Sequence, residues 1–421
     1  MQETVQAAPL ITNDAVVLGI LMLILAFVFH TSHSEHPFWQ KFYKYVPALL
    51  LCYFIPSVVA TLGIVSGEES NLYFVSSRYL LPASLVLLTL SIDIKGMLRL
   101  GPKAIIMFLT GTLGIVIGGP LALLFFSWIN PESAISGGGP DAIWRGLTTV
   151  AGSWIGGGAN QTAMKEVFEV GDDIFSAMVA VDVLVANVWM AVLLYAAGES
   201  HILDKKLKAD TSGIESLKKT MSDYQASVAR IPNLTDLMKI LAIGFGVTAL
   251  GHFIADRLAP WIGTTYPALD RLSLSSPFFW IVVVATTGGL ILSFTKLRSL
   301  EGAGASRVGS ALLYVLIASI GMNMNLGAIV ENPELFAVGA VWISIHAALL
   351  ITVAILIKAP VFFLAVGSQA NVGGAASAPV VASAFHPALA TVGVLLAVFG
   401  YALGTYAAWF TGQLMRIVAG G

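Results

Sequence analysis

Apolar runs of about 20 residues, almost free of charge, recur from one end of this chain to the other, and they restrict its fold more than any other feature. Examples are AVVLGILMLILAFVF at 15–29, PKAIIMFLTGTLGIVIGGPLALLFFSW at 102–128 and VGAVWISIHAALLITVAILI at 338–357. In hydrocarbon each backbone N–H and C=O must find a partner inside the protein, which leaves helices and closed barrels as spanning structures. Runs this long read as helices. The composition agrees, with 57% hydrophobic and 11% charged residues, where soluble domains carry roughly 25% charged. The predicted class is an all-α polytopic membrane protein of the cell membrane, in a bacterium the inner membrane. A net charge of −2 gives no footprint for nucleic acid. The single cysteine, Cys52, lies in an apolar run and has no partner for an internal disulfide. No Lys or Arg precedes the first apolar run, which predicts a retained helix rather than a secretory signal.

Twelve candidate spans follow: 14–30, 45–64, 79–94, 103–128, 143–170 and 173–197, then 236–257, 277–295, 307–329, 334–357, 359–384 and 387–412. Between the two sets lies the one long polar stretch, 199–233, whose Lys205, Lys206, Lys208, Lys218, Lys219 and Arg230 keep it out of lipid. The expected organisation is a first transmembrane repeat over 1–198, a polar linker over 199–235 and a second repeat over 236–421.

The halves resemble each other. LTLSIDIKGMLRLGPKAII (88–106) aligns with LIASIGMNMNLGAIVENPELF (316–336), Ser91-Ile92 falling on Ser319-Ile320. GGGANQTAMKEVF (156–168) aligns with GSQANVGGAASAP (367–379), Ala159-Asn160 falling on Ala370-Asn371. Charge then sets direction. Lys95, Arg99 and Lys103 follow the first serine segment and Glu68 and Glu69 precede it. Lys296, Arg298 and Arg307 precede the second, and Glu331 and Glu334 follow it. Lys- and Arg-rich loops stay cytoplasmic, so the matched helices should run in opposite directions, as an inverted repeat. Twelve spans put them six apart, which gives the same direction, and the count is therefore left at eleven to thirteen.

SWIGGGANQTAM at 153–164 and AVGSQANVGGAASAP at 365–379 put helix breakers, amides and hydroxyls into apolar surroundings. Unwound backbone at membrane depth is tolerated only around a cavity or inside protein, and paired breaks in two halves point to a transporter's binding site. The candidate substrate- and ion-binding residues are Gly157, Gly158, Asn160, Gln161, Thr162, Ser368, Gln369 and Asn371. The plainer alternative is that glycines at 156–158 and 373–374 only let helices approach. Asp182 is the one charge in SAMVAVDVLVANVWMAVLL (176–194), and an intramembrane acid commonly serves ions or protons. Na+ is the expected coupling ion, held by Asn160, Asp182, Gln369 and Asn371 through hard oxygen donors. Glu166 joins the candidates, and Lys165 is placed either with it or with Asp182. Asn187 reads equally as packing or site. HTSHSEH (30–36) reads as an interfacial loop, Asp93 as a solvated helix end, and Gly114 with Gly118 as a packing face.

SIDIKGMLRLGPKA, SWIGGGANQTAMKE and GSQANVGGAASAP together resemble the membrane family catalogued as domain-of-unknown-function 819, over most of the chain. That family resembles the superfamily of cation–proton antiporters and bile-acid sodium symporters. The resemblance implies two inverted repeats, a core domain beside a panel domain, and two broken helices crossing at Gly157–Asn160 and Gly367–Asn371. It also implies an acid on the helix after the first crossing, which here is Asp182.

The leading expectation is a secondary active transporter, Na+-coupled, moving a small organic and anionic solute by symport. The alternative is a cation–proton antiporter using Asp182, and a channel ranks below both. An intramembrane enzyme is disfavoured by the absence of His-Glu-x-x-His and of Gly-x-Gly-Asp. No cofactor is expected. The expected partners are a small-molecule solute and membrane lipid, and a homodimer is compatible with the sequence.

Overall fold

The computed structural model describes residues 9–67, 69–129, 139–212, 214, 217–219, 231–324 and 332–420. Glu68, Glu331 and the middle of the polar linker lie outside the described residues. The rest is helical with short connections: α1 Asp14–Ser32, α2 Pro37–Tyr45, α3 Ala48–Thr61, α4 Leu72–Leu90, α5 Pro102–Ile129, α6 Ile143–Val167 and α7 Asp172–Gly198. Then come α8 Ser200–Leu207, α9 Leu234–Thr265, α10 Pro277–Ser293, α11 Ala305–Gly321, α12 Glu334–Ile357, α13 Val361–Val372, α14 Gly374–Phe385 and α15 Ala390–Val418.

Several starts are written locally. The Asn13 side chain accepts from the Ala15 and Val16 amides to open α1. Asn233 and Asp236 form a reciprocal capping box at the start of α9. That box launches 32 residues, so this span runs well past its expected end at 257 despite Asp256 and Arg257.

Among the described residues, seven helices are long and apolar enough to cross a membrane, or up to nine if each bent pair is one span. The expected eleven to thirteen is not reached on that measure. The polar linker is partly built: α8 carries Asp204, whose carboxylate accepts from the Val361 amide at 2.7 Å, and Asp210 pairs with Lys103 at 3.0 Å.

The two interrupted segments are hairpins, and this corrects the expected crossing. At Gly157, φ is 71° and ψ −176°, a conformation that L side chains rarely adopt. After it the chain turns back. Trp144 and Phe168, near opposite ends of α6, have ring centroids 6.0 Å apart, and Arg145 donates to the Phe168 carbonyl. A straight helix over the same span would separate them by about 36 Å at ~1.5 Å per residue. A Cβ added at Gly152 would lie 2.5 Å from the Asn160 carbonyl oxygen, so only glycine lets the arms 143–156 and 158–167 lie this close.

The second hairpin is built from α13 and α14. Its break falls at Gly373 and Gly374, the latter with φ +58°, and not at Gly367–Asn371, which are helical throughout. Phe362 and Phe385 close its base with centroids 5.3 Å apart.

The hairpins enter from opposite ends of the bundle. Gly171 donates to the Pro140 carbonyl at 2.9 Å, fixing the base of the first. The base of the second sits beside Lys103, which donates to the Lys358 carbonyl at 3.3 Å. Their tips meet inside: a Cβ at Gly374 would be 3.8 Å from the Gly157 Cα.

Helices α4 and α11 run antiparallel, Leu87 and Leu90 near the end of α4 sharing a core cluster with Ala303 and Ala305 at the start of α11. The parity conflict in the sequence disappears because a returning hairpin adds no net crossing. Asp93, expected as a solvated helix end, is instead 7% exposed. It accepts from the Gly96 amide at 3.0 Å and pairs with Arg298 at 2.9 Å, tying the two basic turns together at one end. Gly114 and Gly118 pack α5 against His346 and Trp342 of α12, the packing face expected of them.

Candidate solute and ion site at two helix-hairpin tips

A cavity of about 360 Å3 lies at the meeting point of the tips. Gly157 and Gly158 line it from the first hairpin, and Gln369, Gly373, Gly374 and Ser377 from the second. Asp182 and Asn187 line it from α7, and Leu88, Ser310 and Tyr314 from α4 and α11. Leu88 and Ser310 stand at the helix ends that carry the basic turns, so the cavity reaches from the tips toward that end of the bundle.

Asp182, 4% exposed, is held by three neutral donors. Ser153 Oγ and Gln161 Nε2 approach Oδ2 at 2.7 and 2.9 Å, and Trp154 Nε1 approaches Oδ1 at 2.7 Å. Ser153 and Trp154 precede the turn and Gln161 follows it, so this one carboxylate staples both arms of the first hairpin to α7. A carboxylate offers roughly four acceptor positions, and three are filled. Asp182 itself lines the cavity, and Gln161 does not. Gln161 therefore orients the acid.

Asn160 and Asn371 do not face the cavity, contrary to the expectation from the aligned Ala-Asn pairs. Asn160 Nδ2 donates to the Gly156 and Tyr401 carbonyls at 3.0 and 2.9 Å, and its Oδ1 accepts from Thr405 at 2.6 Å. Asn371 Nδ2 donates to the Gly367 and Phe108 carbonyls, both at 2.9 Å, and its Oδ1 accepts from Thr112 at 2.7 Å. Each amide uses both of its N–H groups and its oxygen in bonds that clamp a hairpin arm to a neighbouring helix. The alignment itself was out of register: Gly157 stands three residues before Asn160, and Gly374 three residues after Asn371. Matching the two breaks lays GGGAN (156–160) on GGAAS (373–377) instead.

Thr162 bonds back to the Gly158 and Ala159 carbonyls at 3.0 Å within its own arm. Ser368 belongs to a buried chain that the sequence did not suggest. His346 Nδ1 lies 2.9 Å from the Gly111 carbonyl, which can only accept, so this nitrogen carries the proton. Nε2 then accepts from Ser368 at 2.8 Å, and Ser368 accepts from Trp189 at 2.8 Å.

Glu166 and Lys165 sit at the other end of the first hairpin. Glu166 pairs with Arg78 at 3.1 Å and accepts from the Tyr73 hydroxyl. Lys165 pairs with Asp172 at 2.9 Å and donates to Tyr73 at 3.0 Å, not to Asp182. Arg78 lies in a π-helical turn, Ser76–Leu80, a distortion frequent at functional places. In HTSHSEH, His36 caps α2 by accepting from the Phe38 amide at 3.2 Å, and the described residues contain no His, Cys, Asp or Glu cluster able to hold a metal ion.

The carboxylate on Asp182, the glycine tips and Gln369 are thus the sequence candidates brought together. Ser153, Trp154, Ser377 and the 373–374 break were missed as members of the site. The signal for the last was available in the Gly-Gly-x-Ala pattern shared by the two tips.

Residues 19–418 match the model of the family described as "Protein of unknown function (DUF819)". The chain is 24% identical over 360 residues to the "Uncharacterized membrane protein YjcL" of Bacillus subtilis strain 168, covering 82% of this chain and 84% of that one. A multi-pass membrane protein of the cell membrane is what these relatives and the apolar helices indicate together. The chain belongs to the DUF819 family.

Proposed function

We propose that this protein is a secondary active transporter, Na+-coupled, that binds a small solute where the two hairpin tips meet. The observation that carries the reading is that both helix breaks abut at one cavity walled by a single buried acid. Breaks inside an apolar bundle are costly unless the freed backbone groups meet a ligand. Antiparallel α4 and α11, each followed by one helix and then one hairpin, support an inverted repeat. The cavity reaches the end bearing the basic turns, the cytoplasmic side by charge, while Arg78, Glu166, Tyr73 and Lys165 are linked to one another at the opposite end.

Both Asp182 oxygens accept from groups that can only donate, Trp154 Nε1 and Gln161 Nε2. That pattern suits a carboxylate kept ionised for a metal cation, which favours symport over an antiport cycle in which Asp182 carries a proton. Na+ would be held by the Asp182 carboxylate together with carbonyls freed at the tips, as hard oxygen ligands. The test is thermal unfolding of the purified protein in NaCl against KCl. A ligand that binds the folded state raises apparent stability by mass action, so Na+ should raise the midpoint and Asp182→Asn should abolish the difference. Equal stabilisation by both salts in the native chain would overturn Na+ coupling.

A further inference from the structure

We infer that the solute bound at the hairpin tips is a small zwitterion with an apolar side group, its ammonium directed at Gln369 and its carboxylate at the start of an outgoing hairpin arm. This rests on the transport reading above and replaces the anionic solute expected from sequence.

The first observation is Gln369. It is 1% exposed and lines the cavity, its Nε2 donates to Ser377 at 2.7 Å, and its Oε1 is buried with no partner. A buried acceptor without a partner is expensive, and a ligand N–H supplies what it lacks.

The second is the charge balance. Among the described residues lining the cavity, Asp182 alone carries a formal charge. Each tip also brings together the C-terminal end of one arm, about −0.5 charge, and the N-terminal end of the next, about +0.5. The four ends sum to about zero, leaving Asp182, which Na+ neutralises. The solute completing a neutral site therefore has no net charge, yet it meets separated negative and positive poles. A carboxylate without an ammonium would leave the site with a net negative charge, and no cationic side chain of the described walls balances it. A zwitterion matches the poles: its N–H groups face Gln369 Oε1, and its carboxylate meets the amides opening α14, a helix of 12 residues. Leu49, Leu88, Leu313 and Ile317 give the wall an apolar face beside the hydroxyls of Ser310, Tyr314 and Tyr401, and 360 Å3 is near the small end of ligand pockets, which run about 300–1,000 Å3.

The experiment measures thermal unfolding of the purified full chain in NaCl with leucine, with 4-methylpentanoate (leucine without its ammonium) and with 3-methylbutylamine (leucine without its carboxylate). Glycine, alanine, valine and proline extend the zwitterion series. At least one zwitterion should stabilise the protein, and leucine should bind about 10- to 100-fold more tightly than either truncated analogue, the worth of one lost charged hydrogen bond. Gln369→Leu should bring leucine down to the level of 4-methylpentanoate, while Gln369→Glu, which keeps an acceptor oxygen and adds a negative charge, should retain the preference for leucine over 4-methylpentanoate. Tighter or equal binding of the acid or the amine, a silent zwitterion series, or an unaltered preference in Gln369→Leu would overturn the proposal. The Na+ response is read in the same samples without solute: its loss counts against the ion coupling, and its persistence with a silent series counts against the solute class alone.

Discussion

Replacing Gly152 by Ala separates a hairpin from a kinked continuous helix by the sign of the effect. In a helix interior Gly→Ala stabilises by about 1 kcal/mol, because alanine loses less backbone entropy. Here the added methyl carbon would stand 2.5 Å from Asn160 O, 2.8 Å from Asn160 C and 2.9 Å from Gln161 N, all main-chain atoms of the returning arm. Backbone cannot rotate aside as a side chain can. The arms must part by several tenths of an ångström, and Gln161, which reaches Asp182 at 2.9 Å, is carried with them. Overpacking of this kind costs about 1–3 kcal/mol, so the expected balance is a net loss of roughly 0–2 kcal/mol once the propensity gain is subtracted. Gly19→Ala is the control, since α1 leaves open space around that position, and it should stabilise by about 0.5–1 kcal/mol. Thermal or denaturant unfolding in detergent reads both variants, with Na+-dependent stabilisation as a second readout on Gly152→Ala. A Gly152→Ala protein stabilised as much as Gly19→Ala, with its Na+ response intact, would refute the hairpin.

Three further outcomes follow from the same contacts. Asn160→Leu removes the bond to the Tyr401 carbonyl and leaves the Thr405 hydroxyl with Thr286 alone, so stability should fall by about 1–3 kcal/mol, and unfolding measurements should show the loss with or without Na+. Asn371→Leu should behave alike through Phe108 and Thr112. Glu166→Gln weakens the ties to Arg78 and Tyr73 at the far end of the first hairpin, and in a Cys52→Ser background a cysteine at Ala163 should then react several-fold faster with an impermeant reagent applied from that side; an unchanged rate would show that these residues do not hold that end closed.

The residues that announced themselves in the sequence did so by type and setting. Asp182 stood out as an acid in an apolar helix, and Gly157 as part of a breaker run where lipid forbids loose backbone. Direction was legible too, because the basic turns around Lys95 and Arg298 are the ones joined by Asp93. What the sequence concealed was the return of the chain. A positive φ at one glycine either kinks a helix or reverses it, and the difference lies in contacts such as Gly152 on Asn160 that no local pattern encodes. The roles of the asparagines were concealed for a related reason. An amide beside a break reads as a ligand until its partners, on α15 and α5, are known. The register between the two tips is set by the glycines and not by the Ala-Asn pairs, because a positive φ, at Gly157 and Gly374, is what the tips share. His346 gave no signal, since a lone histidine in an apolar helix carries no pattern.

The central claim, a cavity at paired tips that opens to the basic side and takes Na+ at Asp182, is tested most directly by cysteine accessibility at Ala375, on the second tip. In a Cys52→Ser background, Ala375→Cys in sealed membrane vesicles of both orientations is treated with an impermeant thiol reagent, in NaCl and in KCl. The account predicts modification from the side of the Lys95–Lys103 turn, slowed by Na+ relative to K+, with the slowing absent in Asp182→Asn. Modification only from the opposite side, or at one rate in both salts with Asp182 intact, would contradict it.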